Sequence, residues 1–269
     1  MSSSDLIVCL RGGGDIGSGV AWRLHQCGFK LFVTETTEPL SVRRKVSFCE
    51  AVYDGAIIVE GVKGVLIRDL KEIPRCWEMG EIPVLVDPGF RKASQMHFDV
   101  LVDAILAKKN LGTSIDLAQL VIALGPGFEA GRDAHYVIET NRGHYLGKVI
   151  SEGSAQPDTG IPGIVAGIGA ERVLRAPADG RWESLSEIGK SVSKGQLIGT
   201  VEGIPLHAAI GGALRGLIRH GIKVTKGLKI GDIDPRGEIR NCFTISDKAL
   251  AVAGGVLEAI LRRYGRAPV

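Results

Sequence analysis

Residues 6–36 read LIVCLRGGGDIGSGVAWRLHQCGFKLFVTET, an apolar run, a glycine loop, an amphipathic stretch and a second apolar run. The first run, residues 6–10, is short enough to be a buried parallel strand. The amphipathic stretch has apolar residues at helical spacing and ends at Gly28, where a left-handed C-cap is expected. This order predicts a strand, a loop, a helix and a second strand that ends at Glu35.

The loop between the first strand and the helix fits the pattern G-x-G-x-x-G. Its first glycine permits a tight turn, the second lets the backbone approach a phosphate, and the third lets the helix pack closely on the strand. The helix N-terminus then presents N–H groups and a partial positive charge to an anion. Glu35, eighteen residues beyond Gly17, stands close to the separation at which a carboxylate binds ribose hydroxyls. The predicted cofactor-binding residues of this segment are Gly12, Gly13, Gly14, Asp15, Gly17 and Glu35.

The pattern does not select one ligand. NAD(P), FAD, a simple nucleotide or a molybdopterin-type dinucleotide would each offer a phosphate to the loop. Arg43 and Arg44 could accept an additional phosphate, although adjacent arginines are more often a solvated helix face. The alternative to a ligand site is a tight strand-to-helix turn and nothing more.

Apolar runs continue to alternate with helical patterns up to about residue 125. Strands are expected within 56–67 and at 82–86, 100–102 and 120–124, and helices at 41–52 and 69–79. The alternation predicts an α/β fold with a Rossmann-like, mostly parallel sheet and helices on both faces. Asp87 and Asp103 follow two of these strands and join the predicted cofactor-binding residues at the carboxyl edge of the sheet. Asp87 also precedes Pro-Gly, so it could instead simply initiate a turn.

Composition excludes several classes of protein. The 269 residues carry a net charge of +3 and only 5% aromatic residues, which argues against a nucleic-acid partner. The five cysteines form neither a disulfide framework nor a C-x-x-C metal site. No signal peptide and no stretch long enough to span a membrane is evident, so a cytoplasmic location is expected.

The sequence pattern changes after residue 125, where glycines and short polar-apolar segments replace helical patterns. Asp133, His135 and Glu139 have even spacing, so one extended strand would place them on one face, with His144 as a later fourth group. A solvated strand face explains the spacing better than a metal site, because it matches no metal-binding signature. We therefore predict no metal ligands.

An internal repeat occupies residues 176–234. Eight residues recur at an offset of 32: Gly180, Leu185, Gly189, Val192, Lys194, Gly195, Ile198 and Gly199 become Gly212, Leu217, Gly221, Val224, Lys226, Gly227, Ile230 and Gly231. Two copies this short predict two similar β-units around a pseudo-twofold axis. The ADG and V-x-K-G-x-x-I-G patterns resemble the biotinyl and lipoyl domain family, which has a barrel-sandwich hybrid fold. Residues 201–208 contain neither the lysine nor the methionines of that family's carrier site, so no covalent biotin or lipoate is expected.

The predicted domains are a cofactor-binding domain at 1–125, a β-rich domain at 126–235 with the barrel-sandwich repeat at about 172–235, and a C-terminal part at 236–269. In the C-terminal part a strand at 242–245 precedes a helix at 247–264 that Ser246 can cap. We expect this helix to pack back on the first domain.

Several longer motifs, among them RGGGDIGSGVAWRL, LGPGFEAGRDAHYVIETNRGHYLG and TGIPG, resemble the selenium-dependent molybdenum hydroxylase system accessory family. The resemblance implies a role in maturing such hydroxylases, with the hydroxylase or its cofactor-assembly proteins as partners. It supplies no catalytic residues, and whether the chain is an enzyme stays open. The alternatives are an NAD(P)-dependent oxidoreductase and a non-catalytic docking scaffold, and a homo-oligomer is compatible with each.

Overall fold

The computed structural model describes residues 5–265, which form two compact units. The first unit contains the described residues up to Pro39, then Phe48–Thr159, and those from Ile245 onward. The second contains Leu40–Ser47 and Gly160–Thr244. The chain therefore leaves the first unit twice and returns to it twice. The boundaries predicted at residues 125 and 235 stay predictions about independently folding domains.

The first unit combines helices with eleven strands. Its helices are α1 Asp15–Gln26, α2 Ala51–Asp54, α3 Ile73–Glu78 and α4 Asp247–Tyr264. Its strands are β1 Ile7–Arg11, β2 Lys30–Glu35, β3 Ala56–Val59, β4 Val62–Ile67, β5 Ile82–Val86, β6 Val100–Asp103, β7 Leu120–Leu124, β8 Glu129–Ala130, β9 Tyr136–Ile138, β10 Val149–Ile150 and β11 Gly153–Ser154. The strands expected within 56–67 and at 82–86, 100–102 and 120–124 are thus confirmed.

Nine of these strands form one sheet in the order β10-β9-β7-β6-β1-β2-β5-β4-β3. β1 lies between β2 and β6 and is parallel to both. β3 is antiparallel to β4 and β10 to β9, so the sheet is mixed. The central strands are buried on both faces, which explains their continuous apolar sequences.

The predicted fold class, a Rossmann-like, mostly parallel sheet with helices on both faces and an inserted biotinyl/lipoyl-like barrel-sandwich, is wrong. The sheet is mixed and several of its connections lack the predicted helices. The segment predicted as a helix at 41–52 contains 3₁₀ turns at Arg44–Val46 and Phe48–Glu50 and then the four-residue α2. The connection from β6 to β7 is a loop with one 3₁₀ turn at Ile115–Leu117.

Side-chain bonds explain why no long helix forms after residue 40. The Ser41 and Ser47 hydroxyl oxygens are 2.6 Å apart. Arg43 donates hydrogen bonds of 2.8 Å to the carbonyl oxygens of Asn241 and Thr244, more than 190 residues away. These interactions outweigh the local helical pattern, because tertiary contacts commonly override intrinsic propensity.

The two longest helices, α1 and α4, pack against each other. A Cβ added to Gly19 would lie 2.7 Å from the Ala249 Cβ atom, so the helices touch closely at this position. Helix α4 has the predicted bounds, and the Ser246 hydroxyl accepts a 3.1 Å bond from the Ala249 N–H as an N-cap. The strand predicted at 242–245 is wrong, since a 3₁₀ turn at Ile239–Cys242 and a loop occupy this stretch.

The second unit consists mainly of two four-stranded antiparallel sheets. Its strands are β12 Val173–Arg175, β13 Gly180–Ser184, β14 Ser191–Val192, β15 Leu197–Val201, β16 Ile204–His207, β17 Gly212–Leu217, β18 Lys223–Val224 and β19 Lys229–Asp234. The sheet orders are β12-β19-β17-β14 and β16-β15-β13-β18.

Strands of one copy of the repeat pair with strands of the other copy. β14 of the first copy pairs with β17 of the second, and β18 of the second pairs with β13 of the first. The repeat is not the separate inserted barrel that was predicted, because residues 40–47 belong to the same unit. The Val42 carbonyl accepts a 2.8 Å bond from the Leu217 N–H, and a Cβ on Gly216 would lie 2.7 Å from the Val42 side chain.

Candidate functional site

The glycine loop and the end of β2 lie side by side at the carboxyl edge of the nine-stranded sheet. Arg11, the last residue of β1, is paired with Thr34 in the neighbouring β2. The Gly12 N–H donates a 2.9 Å hydrogen bond to the Thr34 carbonyl. Glu35 follows Thr34, so the loop begins beside the backbone of this carboxylate.

Most glycines of the loop are required by close packing. Gly12 has a φ of +100°, and a Cβ there would lie 2.9 Å from the Ala104 carbonyl oxygen. A Cβ on Gly13 would lie 3.0 Å from the Cys49 nitrogen, and one on Gly17 would collide with the Gly12 carbonyl oxygen. These glycines explain the turn and the close approach of helix to strand without any ligand.

Gly14 is different, because a Cβ there would meet no atom within 4 Å apart from its chain neighbours and the backbone of its own helix. It is the N-cap of α1, has a φ of −69°, and no side chain caps the helix. Ordinary side chains adopt this backbone conformation, so the turn does not need a glycine here. The amino end of α1, which begins at Asp15, therefore adjoins open space.

Glu35 has a perturbed carboxyl group. Burial raises its pKa from the ordinary 4.5 to about 7, and a hydrogen bond from the Thr36 backbone N–H opposes the shift. Desolvation disfavours the charged form of a carboxyl, which is the direction seen here. Near neutral pH this side chain can therefore donate or accept a hydrogen bond, and such groups are concentrated at functional sites.

The Asp87 carboxylate, in contrast, is hydrogen-bonded to the backbone of the turn that it begins. Its two carboxylate oxygens accept 2.9 Å bonds from the backbone N–H groups of Arg91, Lys92 and Ala93. Phe90, within this turn, has a φ of +55°, which is uncommon for a residue with a side chain. The carboxylate therefore holds a strained turn at the end of β5.

Asp103 belongs to a buried polar cluster at the ends of β1 and β6. The Thr113 hydroxyl donates a 2.5 Å bond to Asp103, and the Ile105 N–H donates one of 3.1 Å. Arg11 donates a 2.6 Å bond to the same hydroxyl, lies 3.8 Å from the Asp103 carboxylate, and stacks 4.9 Å from the centroid of the Phe90 ring. This cluster holds the loops that flank the glycine loop.

Sequence reasoning did not select Arg11 or Thr113. Arg11 had a usable signal, because an arginine directly before a glycine loop and at the end of a buried strand requires partners. No sequence signal identified Thr113, since 102 residues separate it from its partner Arg11.

The groups considered for a metal site do not converge. Asp133 accepts a bond from the Glu129 N–H and pairs with Arg132, whereas His135 Nδ1 accepts a bond from the Val121 N–H. Glu139 accepts 2.7 and 2.8 Å bonds from the backbone N–H groups of residues 141 and 156. Within residues 5–265, no group of three or more His, Cys, Asp or Glu side chains could hold a metal ion.

The two arginines considered for an additional phosphate are engaged within the second unit. Arg43 bonds the two carbonyls described above, and the Arg44 Nε donates a 3.1 Å bond to the Leu217 carbonyl. Neither arginine is placed on the solvated helix face that the sequence suggested. In the part of the chain that the structure describes, no helix is long and apolar enough to cross a membrane.

Comparison with known proteins found one close sequence relative. No model of a known protein family matches the chain. The chain is 48% identical over 259 residues, which is 96% of its length, to "Uncharacterized protein YqeB" of Escherichia coli strain K12. The match covers 48% of that relative, so the chain spans about half the length of the curated protein it matches.

The solved structures that were matched are remote. A succinylglutamate desuccinylase/aspartoacylase from Rhodobacter sphaeroides is 23% identical over 32% of this chain and 29% of that one, with a TM-score of 0.21. An aspartoacylase family protein from Mesorhizobium loti is 11% identical over 84% of each chain, with a TM-score of 0.27. Scores this low carry no argument about the activity of this chain.

These findings correct the predicted resemblance. The sequence relative is described as uncharacterized, and the solved structures are titled as aspartoacylases or desuccinylases. None of these titles names a selenium-dependent molybdenum hydroxylase accessory protein. The predicted role in hydroxylase maturation is therefore wrong, and so are the oxidoreductase and scaffold functions offered beside it.

Proposed function

We propose that this chain binds a phosphate-bearing small molecule, a dinucleotide such as NAD(P), at the carboxyl edge of the nine-stranded sheet. The observation that supports this most directly is the open space at Gly14, beside an amino end of α1 that no side chain caps. A helix N-terminus with accessible backbone N–H groups attracts phosphate through those groups and through the helix dipole. The proposal concerns binding and assigns no reaction.

Glu35 would contact the hydroxyl groups of the ligand. It stands at the end of β2, next in the sheet to the start of the glycine loop. A carboxyl with a pKa of about 7 exists in both forms at neutral pH. The ionised form can accept hydrogen bonds from two hydroxyls, and the protonated form can donate one.

The substitution Gly14→Asp tests the proposal. An aspartate at the N-cap should bond the exposed N–H groups of α1 and stabilise the free protein by a few tenths of a kcal/mol. The same carboxylate would occupy the phosphate position and repel an anion. We therefore expect the melting temperature without ligand to be unchanged or higher, and binding to be lost.

Isothermal titration and thermal unfolding with NAD⁺, NADP⁺, FAD and ADP would measure this. A ligand at about one hundred times its dissociation constant should stabilise the native protein by about 2.7 kcal/mol. The matched control is Gly14→Ser, which can cap the helix without adding a charge and should bind more tightly than Gly14→Asp. Equal binding by native protein and Gly14→Asp would contradict the proposal, as would a complete lack of binding to all four probes.

The remaining expectations accompany this proposal. The cytoplasm is the proposed compartment, and a homo-oligomer without nucleic acid is the proposed assembly. The absence of covalent biotin or lipoate stays a prediction, which the intact mass after expression with both vitamins would test.

A further inference from the structure

A cavity lies at the opposite edge of the nine-stranded sheet, where β2 and β5 begin. Its volume is about 500 Å³, which is typical of small-molecule sites. The residues that line it include His25, Lys30, Trp77, Glu78 and Glu81. None of the proposed phosphate-site residues lines it, so this cavity is a separate site.

Two aromatic walls of the cavity are held in place by the protein itself. The Trp77 Nε1–H donates a 2.7 Å bond to the Leu31 carbonyl, which fixes the plane of the indole. His25 Nε2 lies 2.9 Å from the Gly80 carbonyl, and because a carbonyl only accepts, this nitrogen carries the hydrogen. A ligand would meet rings that are already ordered, which lowers the entropic cost of binding.

The indole face of Trp77 already attracts a positive charge. The Lys30 ammonium nitrogen lies 5.9 Å from the centroid of that ring, within the range of a cation–π contact. Lys30 is exposed and has a flexible stem. A ligand could therefore displace the ammonium group into solvent and take its place on the ring.

One carboxylate at the cavity is available to a cation. Glu81 is paired with Lys63 at 2.7 Å, so its charge is already compensated, whereas Glu78 forms no ion pair among the residues that the structure describes. Helix α1 ends beside the cavity, so the negative end of its dipole lies there. Helix α3 also ends there, at Glu78.

We propose that this cavity binds a small aromatic amine. Its ring would lie on the Trp77 indole, and its ammonium group would point to Glu78, close to the negative end of the α1 dipole. The proposal is independent of the phosphate site, since the two sites lie at opposite edges of the sheet.

Saturation-transfer NMR with phenethylamine and phenylacetate tests this, because the two probes share a ring and differ in charge. We expect saturation transfer to phenethylamine and markedly weaker transfer to phenylacetate. Glu78→Gln should weaken phenethylamine binding about threefold, and Lys30→Ala should strengthen it by about the same factor. Trp77→Leu should abolish it.

Trp77→Leu could disturb folding, but Glu78 and Lys30 are exposed and their variants should fold normally. Circular dichroism of each variant checks this point, and Glu152→Gln, which changes an exposed carboxylate outside the cavity lining, serves as a control that should bind phenethylamine normally. The proposal would be overturned by equal binding of both probes, by unchanged affinity in the Glu78 and Lys30 variants, or by no saturation transfer at about 10 mM phenethylamine.

Discussion

The neighbouring parallel strands β2 and β5 make a useful comparison, because each has a carboxylate at the same edge of the sheet. Glu35 is the last residue of β2, and Asp87 directly follows β5. Asp87, after β5, accepts three backbone N–H bonds and is buried. Glu35, at the end of β2, accepts a bond from the Thr36 N–H and has its pKa raised by burial to about 7. Position at a strand end therefore does not identify a ligand site. What distinguishes the two acids is how much of their hydrogen-bonding capacity the fold already uses.

The largest expected effect on the free energy of unfolding comes from removing the Asp87 carboxylate. Asp87→Ala leaves three backbone N–H groups of a strained turn without their acceptor and should destabilise the protein by about 4 kcal/mol. Urea unfolding at pH 7 measures this value. Asp87→Asn is the matched control, because its one amide oxygen keeps part of the bonding and should cost less. A loss below about 1 kcal/mol for alanine would show that the turn does not depend on this carboxylate.

A smaller effect on the free energy of unfolding is expected at Glu35, where the substitution Glu35→Gln should stabilise the protein at high pH. The folded protein binds the Glu35 proton more tightly than the unfolded chain, since its pKa rises from 4.5 to about 7. The native state therefore loses stability from this group as pH rises through that interval, by up to about 3 kcal/mol. Glu35→Gln has no charge to bury and should match the native protein at pH 4.5 but exceed its stability at pH 8.

Unfolding free energies of the native protein and Glu35→Gln across pH 4.5–8 test this, because the other titrating groups are shared and cancel. A difference that is constant with pH would contradict the raised pKa. Ligand binding by the same variant, measured with the dinucleotide probes, would show whether the carboxyl also contacts the ligand.

The smallest of the three effects is expected at the polar cluster beside the glycine loop. Thr113→Val removes the hydroxyl that links Arg11 to Asp103 and should destabilise the protein by about 2 kcal/mol. Thr113→Ser keeps the hydroxyl and should cost about 0.8 kcal/mol or less for the lost methyl group. Thermal unfolding of the two variants compares them directly. If valine were no worse than serine, the hydroxyl would not be the link between these buried charges.

The sequence predicted the elements whose causes are local. The run at 6–36 gave β1, α1 and β2 because their apolar spacing and glycine positions are short-range signals. The Pro-Gly after Asp87 likewise signalled the turn that its carboxylate now holds. The failure at 41–52 has a distant cause, since Arg43 bonds carbonyls of Asn241 and Thr244.

The candidate site divides in the same way. The loop glycines and Glu35 were selected from spacing, yet spacing could not tell that Gly14 adjoins open space whereas Gly17 is packed against the chain. Nor could spacing show that the Asp87 carboxylate already accepts three backbone N–H bonds. Those differences depend on which atoms surround each residue, and in the fold those atoms come from distant parts of the sequence.

The packing of α1 against α4 has a consequence for biosynthesis. Helix α1 is made early, but the face at Gly19 meets Ala249, near the start of the last described helix. While the ribosome is still adding the intervening residues, that face is exposed to chaperones and to other nascent chains. The phosphate site at the head of α1 would therefore mature late, and a chain stopped before α4 would leave the face of α1 at Gly19 uncovered.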